Sequence, residues 1–342
     1  MAKINAMLIS IIIPTYKRLE ILKETYDHLI GAINGIIAEI IIVNDDKTTS
    51  VLEIVAFLNI NTYNTIVVNN RNYGAASARN LGAQLATSKI LLFIDDDIIV
   101  DANTLLNVLY LHEKFDRALS TPLWEYSELV KKLLTKTTFG RYKLAYDYAP
   151  IRGKIEYKIP GENKLYEVES LASFCLSIKA SHYKELNGMD ENFPYAGCED
   201  QDFAERAKNL GFTLILDENI IVKHNEIDRI KKKNWLTRQF NGVQGFVFLC
   251  QKFPERKVTA MWTENIPVQK KDSQKLKIKK IAKFLIRQKL PLLLFNLIVT
   301  TCEKACLPQI LLFKLYTVQA GIYLNKGFTK SYNKNAHSSH NG

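Results

Sequence analysis

The stretch KILLFIDDDIIV, residues 89–100, runs an apolar segment straight into three carboxylates, Asp95, Asp96 and Asp97. Three like charges at the mouth of a buried strand are costly unless they are solvated, protonated or neutralised. No Lys or Arg stands beside them in the sequence. Two readings follow. The segment is a solvated acidic turn capping the next helix, or it seats a hard divalent cation whose charge arrives with a substrate. Mg2+ or Mn2+ suits the second reading, because such ions take one or two protein carboxylates and complete their shell with waters and phosphate oxygens.

Working outward, the first hundred residues alternate in character. LISIIIPTY, AEIIIVND, NTIVVNN and KILLFI are apolar and β-branched, as strands buried on both faces should be. Between them, RLEILKETYDHLIGAI, SVLEIVAFLN and GAASARNLGAQLA carry helical spacing. Strand–helix–strand alternation predicts βαβ units with right-handed crossovers, hence an α/β, Rossmann-like, mostly parallel sheet flanked by helices. The carboxyl ends of its strands form one working edge. PTYKR, NDDKTTS and DDD all fall at that edge.

From about 116 to 165 the alternation is lost, and loops with short helices are expected. Regularity returns with VESLASFCLSIKASHYKEL, an acidic helix start in GCEDQDFAERAKNLG, the strand FTLILD and then NIIVKHNE. Glu199, Asp200 and Asp202 crowd that helix N-terminus. The macrodipole alone favours them there, so helix capping competes with a general base. Two separated acidic clusters, one for a metal and one for a base, suit displacement at a carbon bearing a diphosphate leaving group. His224, just past a strand, is either structural or a further metal ligand.

The chain has 342 residues and a net charge of +11, so an anionic partner is expected. Nine Lys/Arg against one Asp lie between Lys270 and Lys289. No nucleic-acid motif accompanies them, and nucleic acid is set aside as a partner. The five cysteines form no CxxC pair, which points to free thiols in a reducing cytosol rather than a disulfide framework. No segment reaches the ~20 apolar residues of a membrane span. The N-terminal apolar run is read as a first strand rather than a signal peptide.

In order and spacing, SIIIPTYKR, EIIIVNDDKTTS, NYGAASARNLGAQLATSKILLFIDDD and LNGMDENFPYAGCEDQDFAERAKNLGF resemble the family 2 glycosyltransferases of the GT-A fold. The resemblance runs from about Ser10 to about Phe253. It implies an inverting, metal-dependent enzyme using a nucleotide-diphosphate sugar, UDP-linked by expectation, with Mn2+ or Mg2+. By position, Pro14, Thr15, Tyr16 and Asp45 would hold the nucleotide, with Arg79 nearby. Asp95 would hold the ribose or a metal-bound water, and Asp97 the metal. Asp96 would be the replaceable middle residue of the nucleotide-binding set. Asp200 would be the catalytic base, Glu199 and Asp202 would shape the acceptor side, and His224 would join the metal. Departures from the family pattern are Asp46-Lys47 after the base-reading Asp, Asn187 for a Gly, Met189 for a Phe, and SLASFCLS without a Gly-Asn pair.

The expected organisation is a catalytic domain over residues 1–255, a basic amphipathic helical region over 256–330 and a disordered tail over 331–342. The acceptor is read as a carbohydrate or lipid-linked hydroxyl in cell-surface polysaccharide or glycolipid synthesis. The basic helices are expected to meet an anionic membrane surface, making the protein peripheral on the cytosolic face. A non-catalytic nucleotide-sugar binding module and a nucleotidyltransferase are the competing classes. The second lacks a Gly-rich, Lys-bearing triphosphate loop near the N-terminus.

Overall fold

The structure, a computed structural model, describes residues 9–33, 35–61, 64–146 and 155–338. Four strands open the chain: β1 (Ile9–Thr15), β2 (Ala38–Asn44) and β4 (Ile90–Ile94) are buried, whereas β3 (Thr65–Asn69), expected to be buried on both faces, is a partly exposed edge strand. They are linked by α1 (Leu19–Ala32), α2 (Val51–Leu58) and α3 (Ala75–Leu85). There follow β5 (Ile98–Ile99), α4 (Ala102–Lys114), β6 (Ala118–Tyr126), α5 (Glu128–Thr135), α6 (Thr138–Tyr146), β7 (Ile155–Lys158), β8 (Leu165–Val168) and β9 (Cys175–Lys179). Then come α7 (Ala180–Glu185), α8 (Glu199–Asn209), β10 (Thr213–His224), α9 (Lys232–Lys252) and α10 (Ala260–Thr263). The chain closes with α11 (Gln274–Ile286), α12 (Lys289–Lys304) and α13 (Gln309–Ser338).

The strands form one sheet in the order β3-β2-β1-β4-β9-β6-β10-β8-β7, with β5 pairing β10. The β1–β4 block is parallel, as the alternation requires, and β6 and β10 pair parallel. Between those blocks β9 inserts antiparallel to both. Alternate residues of β1 feed opposite faces. Ile12 joins the core under α3, α7 and α8, whereas Ile9, Ile11 and Ile13 join the core under α1, α2 and α4. Each fully buried Ile contributes about 1.5–3 kcal/mol. The small residues of α3 are explained by closeness: a Cβ on Gly82 would lie 2.3 Å from Ile12 Cγ2, so the helix rests almost on β1.

β6 was not anticipated. Its sequence ALSTPLWEY mixes Ser, Thr, Glu and Pro, and shows no apolar period. Pro122 cannot donate to a ladder. The pairing answers this with an irregularity: Asp217 pairs Pro122, and the next β10 partner, of Leu123, is Ile221. That same bulge joins the expected strand FTLILD to NIIVKHNE as the single strand β10.

Two compact units result. One comprises residues 1–130, 149–192 and 199–227; the other comprises 131–148, 193–198 and 228–342. The division falls at Ile227 rather than at 255, so α9 sorts with the C-terminal helices. The expected disordered tail is corrected as well, since α13 continues through Ser338. Residues 339–342, and the first eight residues, lie outside the described set. The cysteines are free thiols, with Cys175 and Cys250 buried, Cys198 and Cys302 half-buried and Cys306 exposed.

Candidate active site

The carboxyl ends of β1, β2 and β4 present the expected clusters, and the triple Asp is partly compensated from within the fold. Arg18, at the start of α1, places Nη1 2.7 Å from Asp96 Oδ1 and Nη2 2.5 Å from Asp97 Oδ2. Arg79 on α3 places Nη2 2.6 Å from Asp95 Oδ1. The three carboxylates therefore share two counter-charges, from Arg18, 78 and 79 residues away from Asp96 and Asp97, and from Arg79, 16 residues from Asp95. This corrects the expectation that the compensating charge comes only with a substrate.

Asp97 is fully buried. Its second oxygen, Oδ1, lies 3.1 Å from His224 Nε2. The short β5 makes this possible: directly after the Asp turn it pairs antiparallel with the end of β10, setting His224 opposite Ile98. Trp124 packs edge-on against the imidazole, with ring centroids 5.2 Å apart. Burial lowers the His224 pKa, but the adjacent Asp97 carboxylate outweighs it and the net shift is upward. A carboxylate oxygen and an imidazole nitrogen at this spacing match one edge of an octahedron, which is about 3 Å for metal–ligand bonds of 2.0–2.1 Å. The N/O donor pair fits Mn2+ better than Mg2+. Among the described residues, no three His, Cys, Asp or Glu side chains converge as a metal-binding group. Asp97 and His224 would thus be a two-donor seat.

Asp96 reverses its expected role. It is buried, accepts from Thr15 Oγ1 at 2.8 Å and pairs with Arg18, while its carbonyl accepts from Thr25 Oγ1 at 2.8 Å. Burial drives its pKa up to about 7, against the pull of Arg18. It fastens β1, α1 and the turn together rather than facing a ligand, and Asp96→Ala should cost about 1–3 kcal/mol of stability by leaving these donors unmet. A chemical melt measures this. Thr15 is committed in the same way, since its hydroxyl is spent on Asp96. Pro14 is half-buried and Tyr16 is exposed beside it.

Asp45 accepts from Asn70 Nδ2 at 2.7 Å and from the Gly74 N–H at 2.9 Å, at the start of α3. It remains half-exposed at the sheet edge. The Asp46-Lys47 departure has a structural use. Asp46 accepts from the backbone N–H of Thr48 and from the hydroxyls of Thr48 and Thr49, which hold its carboxyl below the usual range. Lys47 reaches the Asn70 carbonyl at 2.7 Å. Asn187, standing where a Gly was expected, adopts φ 57°, a left-handed conformation that Asn tolerates best after Gly.

Arg79 is 3% exposed and spans the two acidic clusters. Besides Asp95, its Nη1 lies 3.5 Å from Glu199 Oε1 at the start of α8. Burial alone would lower its pKa, but Asp95, Glu199 and Asp200 outweigh it and hold the guanidinium charged. So buried an arginine orients carboxylates. Asp200 stands next to Glu199. Burial and the Glu199 carboxylate push the Asp200 pKa up to about 7, where a general base works best.

Asp202 is not part of that edge. It is fully buried and accepts from Arg206 Nε at 2.9 Å, and Arg206 in turn donates to the carbonyls of Leu186 and Gly188. The pair pins α8 to the Asn187-Gly188 turn, which corrects the acceptor-side reading of Asp202. Asp202→Asn should lower stability by about 1–3 kcal/mol and leave turnover per folded molecule unchanged. Thermal melts alongside active-site titration check this.

Residues 10–178 match the model of glycosyl transferase family 2, and residues 159–234 match a model described as N-terminal domain of galactosyltransferase. Residues 10–178 thus form a glycosyl transferase family 2 region, and the chain has the GT-A fold. Similar solved structures include GalNAc-T7 with UDP, GalNAc and Mn2+, at 14% identity and a TM-score of 0.56, covering 84% of this chain and 57% of that one. The mannosyltransferase PcManGT from Pyrobaculum calidifontis, in complex with GDP-Man and Mn2+, is similar at 14% identity and a TM-score of 0.55, covering 95% of this chain and 86% of that one. No curated protein matches the chain by sequence.

Proposed function

We propose that this family 2 glycosyltransferase is inverting and metal-dependent, and moves a sugar from a nucleotide-diphosphate donor, UDP-linked by expectation, to an acceptor hydroxyl. The observation that supports this best is Arg79, whose guanidinium lies between Asp95 of the strand-end cluster and Glu199 of the α8 cluster. The two clusters it joins contain the carboxylates that would hold a metal and serve as the base. Asp97 and His224 would hold the metal, which when bound supplies charge stabilisation for the departing diphosphate. Asp45 would read the nucleotide base. Asp200, adjacent to Glu199 and held near neutrality, takes the proton of the acceptor hydroxyl as its oxygen attacks the anomeric carbon from the face opposite the diphosphate. Arg79 and Arg18 keep the carboxylates in register without touching the reacting atoms. GalNAc-T7 and PcManGT both carry Mn2+ with a nucleotide or nucleotide sugar, in keeping with this reading. A cell-surface polysaccharide or glycolipid acceptor remains the expected class.

Incubation with UDP- and GDP-sugars and Mn2+ across an acceptor panel tests the proposal. Transfer with inversion at the anomeric carbon is expected; a product of retained configuration would refute the single displacement.

A further inference from the structure

The helix α11 is inside out. Lys280, Lys283 and Arg287 recur at helical spacing, and their side chains turn inward. Lys280 is 5% exposed and sits 2.7 Å from Asp272. Lys283 reaches Glu264 at 3.3 Å and Asn265 Oδ1 at 3.2 Å, and Arg287 donates to Asn325 Oδ1 at 3.1 Å. The opposite stripe, Ile278, Ile281, Phe284 and Leu285, faces outward, with Ile278 66% exposed. On α12, Leu292 and Val299 are buried while Leu290, Leu293, Leu294, Leu297 and Ile298 point out. A helix folded in water alone presents the reverse arrangement, and so large an apolar surface marks an interaction site.

Exposed lysines rim this surface. Lys270, Lys271, Lys275, Lys279, Lys289 and Lys304 are all solvent-facing. A second copy of the chain docked by a two-fold axis would set these rims against one another, which like charge disfavours. An anionic lipid surface matches both the apolar stripe and the basic rim. Among the described residues no single helix is long and apolar enough to cross a membrane, although α11 and α12 pass that test together with an 87° bend between them. A broken span would bring Arg287, Gln288 and Lys289, at the bend, to membrane depth, which is expensive.

We infer that the outward faces of α11 and α12 form a seat for the surface of an anionic bilayer, lying in its plane. The inference is independent of the glycosyltransfer reading, because every residue in it belongs to the helical unit. Flotation of the full chain tests it, with phosphatidylcholine vesicles lacking or containing phosphatidylglycerol. The protein should float with the anionic vesicles and stay behind with the neutral ones. L285E/L293E should reduce the floated fraction roughly tenfold or more with an unchanged melting temperature, since both side chains are already exposed. Equal flotation on both vesicle types would overturn the inference, as would a variant that floats like the parent. So would a dimer on size exclusion that this variant converts to monomer, because the face would then be covered by a second copy.

Discussion

Asp97→Asn is expected to abolish sugar transfer, lowering kcat by about a thousandfold or more, equivalent to several kcal/mol of lost leaving-group stabilisation. The carboxylate is fully buried, with Oδ2 bonded to Arg18 and Oδ1 lying 3.1 Å from His224 Nε2. Asparagine keeps the shape and one acceptor, but loses the charge that a divalent cation requires. It also leaves Arg18 facing a neutral amide, so a modest drop in melting temperature should accompany the loss. The two effects separate experimentally. Raising Mn2+ should shift the melting temperature of the parent protein by mass action, and the variant should lose that shift even where it remains folded. Transfer undiminished in Asp97→Asn would remove Asp97 from the metal seat.

The second large effect is expected at Asp200. Asp200→Asn should lose about 10²–10⁴ in transfer while retaining donor binding, because a general base acts only in the chemical step. The pH dependence carries a matching signature. Burial and the neighbouring Glu199 raise the Asp200 pKa to about 7, so the base is protonated and idle below that value and active above it. The transfer rate should climb through about pH 7 and level off, and the climb should vanish in the variant's residual activity. A variant that binds UDP poorly yet turns over normally would place the base elsewhere.

Much of the first unit was legible because β1, β2 and β4 are buried on both faces and the helices on one, which writes strong periods into the sequence. β1 to β4, α1 to α3 and α8 follow those periods. β6 does not, since a strand containing Pro122 survives only beside the bulge in β10, and its partner lies about a hundred residues away. The carboxylates of the site were legible as clusters, but their partners were not. Arg18 stands at the end of the quoted PTYKR turn, on the same sheet edge as the triple Asp, and that shared edge was the available signal. Sequence order treated Asp96 as a spacer between Asp95 and Asp97, whereas in three dimensions it ties the turn to β1 and α1 through Thr15, Arg18 and Thr25. Glu199, Asp200 and Asp202 looked equivalent. Helix rotation separates them, turning Asp202 inward to Arg206 and leaving Glu199 against Arg79. In α11 the amphipathic pattern was plain, but the sequence could not say which stripe faces the protein. Asp272, Glu264 and Asn325 decide that by drawing the cations inward.

The central claim is the reaction class, and nucleoside-diphosphate release measures it most directly. The full chain is mixed with a panel of UDP- and GDP-sugars, Mn2+ and acceptor glycans, with EDTA controls and nucleoside triphosphates in parallel. The account predicts that at least one sugar nucleotide is turned over to its diphosphate, that EDTA stops this, and that Asp97→Asn and Asp200→Asn do not support it. Donor binding without any turnover, or pyrophosphate released from a triphosphate instead, would contradict it.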